Sequence, residues 1–214
     1  MGRGLIVLML LGLALSARAE VIDRILAVVE GQLITLSDVR AVTRLGLEAP
    51  SPDTNPVQSV LDKLIDRQLM LIEVDRYAPP EPTTAEIDAR FQTVQKRYAD
   101  ALGLEIVLGQ VGWARDDVRR YVRDELRIER YLQQRFTATI QPTDDEVAAY
   151  YRLHADEFTK GGSIAPYSAV REEARSRLVA ERRATLVREW LAGLRRRANI
   201  QQLYFATPPL SNGK

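Results

Sequence analysis

From Ser168 to Ala198 the chain runs thirty-one residues at helical spacing without a proline. At 1.5 Å per residue this is a helix of about 45 Å. Its stripe of Val170, Ala174, Leu178, Val187, Trp190, Leu191, Leu194 and Ala198 has to be covered by other parts of the chain. Helical spacing recurs upstream. Pro56 suits a first helical position, and Val57, Val60, Leu61, Leu64, Ile65, Leu69 and Ile72 follow it; Met70, Leu71 and Val74 widen the apolar face, so this helix packs on more than one side. Thr83-Thr84-Ala85-Glu86 is a capping box for a helix running to about Leu102, and a short helix from about Glu105 to Val111 stops at Gly112. Asp116 to Phe136 reads as another long helix, burying Val118, Tyr121, Val122, Ile128, Tyr131 and Leu132. Thr143-Asp144-Asp145-Glu146 is a second capping box.

Two segments depart from this pattern. Ile22 to Thr35 predicts two short strands around Glu30-Gly31, with Ser37 as the N-cap of a helix from Asp38 to about Leu45. Ile200 to Phe205 predicts a further strand. The segment 46–55 predicts a loop, and Gly161-Gly162 marks a flexible connection. The fold class is therefore mainly α: a multi-helix module with a small β-sheet formed by an N-terminal hairpin and a C-terminal strand.

Leu5 to Ala17 is an apolar run behind Arg3, and Ala17-Arg18-Ala19 places small residues where a signal peptidase reads, so residues 1–19 are expected to be a cleaved signal peptide. Thirteen residues reach roughly 20 Å, short of the ~30 Å hydrocarbon core. Removing Arg3 and Arg18 from the 30 basic residues leaves 28 against 29 acidic ones. That balance offers no overall attraction to nucleic acid or an anionic membrane. Without cysteine there is no disulfide, and with one histidine metal chemistry has little support; no cofactor is expected. No glycine loop followed by Lys-Ser or Lys-Thr supports an ATPase.

Three polar features take ordinary readings. His154 has no nucleophile placed beside it and fits a helix end. Asp144, Asp145 and Glu146 lie where capping and the helix dipole explain them. Arg171 to Arg197 holds nine arginines against four glutamates, which reads as a solvated or ion-paired face. Trp113, Tyr121, Tyr131, Tyr150 and Tyr151 are the candidate binding aromatics, since such rings supply contact area at little entropic cost; core packing is the competing reading for each.

The segments Ile25-Leu26-Ala27-Val28-Val29-Glu30-Gly31, Ile34-Thr35-Leu36-Ser37-Asp38-Val39, Leu64-Ile65-Asp66-Arg67-Gln68-Leu69-Met70-Leu71, Arg119 to Leu126, and Tyr150-Tyr151 with His154 and Glu157-Phe158 occur in an order that resembles the SurA-type periplasmic chaperones. The resemblance covers about Val21 to Tyr204. It implies one chaperone module assembled from residues 20–158 and 167–205, with a flexible tail at 206–214. In that family one or two parvulin-type prolyl isomerase domains commonly follow the position of Phe158. Here the eight residues 159–166 form a short linker that cannot contain one. The resemblance thus implies a non-enzymatic, ATP-independent holdase in the periplasm. Its partners would be unfolded polypeptides, outer-membrane β-barrel proteins in particular. A prolyl isomerase with displaced catalytic groups, or a domain-swapped homodimer acting as an assembly adaptor, are the alternatives.

Overall fold

A computed structural model describes residues 23–204 apart from 53, 99 and 137–139; the expected signal peptide and C-terminal tail lie outside them. Ile25–Val29 (β1) and Gln32–Thr35 (β2) pair antiparallel, with Val29 opposite Gln32. Glu30 and Gly31 turn between them at φ 48° and 84°. Two successive positive φ values match the twist of the flanking strands, which is why glycine suits the second position. Leu36–Arg44 (α1) follows at once. Its cap is Thr35 and not the expected Ser37: the Thr35 hydroxyl accepts from Asp38 N at 3.2 Å, and Asp38 accepts from Thr35 N at 2.9 Å. Ser37 N instead donates to Asp23 at 3.2 Å.

Pro56–Tyr77 (α2) is capped by Asn55, whose Oδ1 accepts from Val57 N and Gln58 N at 3.0 and 3.1 Å. It is the central helix. It touches β1, β2 and α1, and two helices further along the chain, Arg115–Phe136 (α5) and Tyr167–Arg197 (α7). Burial of Val60, Leu61, Ile65 and Val74 on its different sides agrees with the wide apolar face. Between them Thr84–Gln95 (α3) ends seven residues before the expected Leu102, and Ala101–Val111 (α4) begins four before the expected Glu105. The break has a tertiary cause. Arg97 donates to the carbonyls of Leu45 and Gly46, and the Tyr98 hydroxyl to Arg44 O at 3.4 Å, which pins the turn to the end of α1. Asp100 then starts a new helix by accepting from Gly103 N at 2.7 Å.

Asp144–Leu153 (α6) opens on the second capping box and passes through a 3-10 turn at Ala155–Phe158. The eight residues that follow are not a featureless linker: Thr159–Lys160 (β3) and Ser163–Ile164 (β4) form a hairpin. Gly161 and Gly162, at φ 61° and 84°, make its turn. α7 then runs 31 residues back to the sheet, and Ile200–Gln202 (β5) pairs antiparallel with β1, giving the order β2-β1-β5. The module is mainly α with a sheet built from both ends of the described chain. One core lies between the sheet, α1, α2 and Leu194 of α7; a second joins α1, α3, α4 and α5; a third, around Val147, Phe158, Val170 and Ala174, belongs to α6 and the first half of α7.

Candidate functional site: a groove between the sheet and three helices

β2, α1, α2 and α5 enclose an open groove of about 350 Å³. Each wall contributes through its periodicity. β2 offers Leu33, which is 56% exposed, beside buried Ile34; α1 offers Val42. From α2 come Leu64, Arg67, Gln68 and Leu71, spaced three and four residues apart and therefore on one face. Trp113, just past the left-handed Gly112 that ends α4, and Tyr121 of α5 close the far side, their ring centroids 6.2 Å apart.

The charges at this groove are consumed within the chain. The Arg67 guanidinium lies 3.8 Å from the Tyr121 ring centroid, donates to Tyr121 O at 2.9 Å and stands 3.8 Å from Asp124. Asp117 accepts from Ala114 N at 2.6 Å and pairs with Arg120. Asp38 is held in the Thr35 cap. Burial raises the Asp124 carboxyl above its ordinary value despite the nearby Arg67, Arg123 and Arg127. Burial likewise pushes the Tyr121 phenol upward, and its hydroxyl donates to Glu48 at 3.1 Å. Arg67 and Tyr121 also line a second hollow of about 340 Å³, with Met70, Ile128 and Leu191. The groove between β2 and α5 mixes apolar and charged side chains. It offers no activated nucleophile, and no cluster among the described residues could hold a metal ion.

The five candidate aromatics separate. Trp113 and Tyr121 meet at the groove. Tyr131 is 5% exposed and packs against Tyr77 and Trp190 at 5.6 and 5.7 Å. Tyr150 stacks on His154 at 4.2 Å. Tyr151 packs on Phe158 and Tyr167 and donates to Ala165 O at 2.6 Å. His154 ends α6 and meets Glu157 at 2.9 Å. Of the acidic trio, Asp144 and Glu146 serve the helix start and pair with Arg171, Arg175 and Arg182. Sequence reading passed over Arg67, Leu33 and Leu71 at the groove; a basic residue inside the apolar face of α2 was the available signal for Arg67.

No family model matches the chain. Chaperone SurA of Bordetella pertussis is 29% identical over 144 residues, covering 62% of this chain and 27% of that protein. Chaperone SurA of Pseudomonas fluorescens is 27% identical over 146 residues, covering 64% and 34%. The chain therefore spans about a third of the length of the curated relatives it matches. Among solved structures, one from the study of PEB4 and Cj1289, two SurA-like chaperones of Campylobacter jejuni, superposes with a TM-score of 0.54 at 13% identity, covering 84% of this chain and 99% of that one. This likeness to a solved structure is one of fold, over 84% of the chain. The described residues thus share the fold of a SurA-like chaperone, and the sequence is similar to SurA chaperones over about three fifths of the chain.

Proposed function

We propose that the chain is an ATP-independent periplasmic holdase that binds unfolded exported polypeptides, outer-membrane β-barrel proteins among them. The groove carries this reading. Leu33 is exposed and Leu71 half-buried above the buried Ile34, Val42 and Leu64, the Trp113–Tyr121 pair stands at one side, and the groove's ionic groups have partners within the chain. An apolar stretch of an unfolded chain would gain burial there against Leu33, Leu71 and the aromatic pair. Release needs no chemical step, because affinity limited to one open groove stays modest. The periplasmic setting is supported by the SurA-like relatives and by the N-terminal apolar run; among the described residues no helix is long and apolar enough to cross a membrane.

The test is light scattering from a urea-denatured outer-membrane porin diluted into buffer with and without the protein lacking residues 1–19. Suppressed scattering at near-stoichiometric amounts, without nucleotide, is expected. Trp113→Ala should weaken client binding about tenfold, as loss of an aromatic anchor does. Scattering unchanged by the wild-type protein would overturn the holdase reading.

A further inference from the structure

The C-terminal end of α5 differs from the rest of that helix. Arg115, Arg119, Arg120, Arg123, Arg127 and Arg130 each face a carboxylate. Arg135 has none within ion-pair reach among the described residues. Aromatic rings hold it instead: its guanidinium carbon lies 5.9, 5.6 and 5.5 Å from the ring centroids of Tyr131, Phe136 and Trp190. Its Nη1 donates to the Tyr131 hydroxyl at 3.1 Å. Stacking on ring faces fixes a cation without neutralising it.

Beside this cation is a hollow of about 210 Å³, walled by Tyr77, Pro79, Tyr131, Gln134 and Arg135 itself. Tyr77 is 59% exposed, and its ring stands 5.6 Å from that of Tyr131. Glu73, the acid nearest in effect to Tyr131, is already paired with Arg76 at 2.9 Å. An aromatic hollow and an uncompensated cation at one spot suit a ligand with an apolar body and an anionic group on adjacent atoms. The last residue of a polypeptide has both on one Cα. An internal Asp or Glu brings the charge without the apolar bulk, and an internal Phe the reverse.

We propose that this hollow captures the C-terminal residue of a client chain, its apolar or aromatic side chain against Tyr77 and Tyr131 and its α-carboxylate on Arg135. The assignment rests on the holdase reading and adds a second, end-specific contact to it. It explains why one arginine of α5 is kept from the carboxylates that occupy its neighbours.

The experiment compares two ten-residue peptides of one uncharged apolar sequence ending in Phe, one with a free C-terminal carboxylate and one amidated, labelled at the N-terminus and titrated by fluorescence anisotropy. The amide should bind about fivefold more weakly, the upper range for one solvent-accessible charge pair. Arg135→Gln should remove the difference between the two peptides, with an unchanged circular dichroism spectrum and thermal midpoint showing that the variant is folded. Arg135→Lys should restore part of it. Equal binding of the two peptides to the wild-type protein overturns the proposal, as does discrimination that survives Arg135→Gln. If neither peptide binds while porin aggregation is still suppressed, end capture fails and the holdase stands. If neither peptide binds and aggregation proceeds, both fail.

Discussion

The module contains two regions stabilised in different proportions. The body, made of the sheet, α1 to α5 and the last turns of α7, buries Leu26, Val29, Leu61 and Ile65 completely or nearly so within an extensive apolar cluster. The satellite, made of α6, the 3-10 turn, the β3-β4 hairpin and the first half of α7, has four buried residues at its centre: Val147, Phe158, Val170 and Ala174. Arg171 and Arg175 bind Asp144, Arg182 binds Glu146, and Arg177 binds Glu157 around that small core. Exposed pairs of this kind contribute little, because solvent screens them. The satellite therefore depends on a few apolar contacts, whereas the body has many. α7 joins the two, tied to α2 through Arg195, which donates to Asp66 at 2.6 Å and to Asp62 O at 2.9 Å.

Phe158→Ala is the sharpest way to break this comparison. Phe158 is 1% exposed, and its truncation should cost about 3–5 kcal/mol, more than so small a core can absorb. Hydrogen exchange should lose protection from residue 144 to about 178 while α2 and β1 keep theirs; loss of protection everywhere would show one cooperative unit. Leu61→Ala in the body should cost about 2–5 kcal/mol and lower the urea midpoint of the whole chain, since α2 packs against β1, β2, α1, α5 and α7.

Smaller changes probe local pieces. Thr143→Ala and Thr83→Ala each remove a cap worth about 1 kcal/mol. The first should show up as satellite exchange and the second only in α3. Acid gives the most graded contrast. Hydrogen bonds from Arg182 and from Thr143 N hold Glu146 down at about 2; Arg171 and Arg175 lower Asp144, and His154 with Arg177 lowers Glu157. A lowered folded value contributes stability above the unfolded pKa, and that stability is lost as pH falls from about 4.5 towards 2. Asp124 in the body has the opposite sign. Its raised value contributes stability fully present below 3.8 and lost as pH rises through the folded value. Glu86, lowered to about 2 by Thr83 and Arg130, makes the α3 cap acid-sensitive in its turn. Acid titration followed by exchange should thus open the satellite before the stretch of α5 around Asp124. The reverse order would remove the ion-pair girdle as the basis of the contrast.

Features set by neighbouring residues were legible in the chain alone. The Glu30-Gly31 turn, Pro56 at a helix start, the Thr83 and Thr143 capping boxes and the final long helix depend on contacts a few residues apart, and each stands where the pattern put it. The candidate site was legible only in part. Trp113 and Tyr121 meet at the groove, but Tyr131 lies with Trp190, and Tyr150 and Tyr151 lie in the satellite. A list of aromatic residues carries no information on which of them share a wall.

By itself, then, the sequence determined that the chain would be helical, capped at defined threonines, and closed by a strand at its far end. Only the tertiary structure decided that Thr35 caps α1 while Asp23 takes Ser37 N, and that Arg97 and Tyr98 stop α3 against α1. It also decided that Val29 pairs with Ile200, and that Tyr77, Tyr131 and Trp190, from three separate helices, form one aromatic cluster with Arg135 beside it. The physical reason is range. A cap or turn is complete within a few residues, whereas a contact between distant segments exists only once packing has offset the entropy of bringing them together.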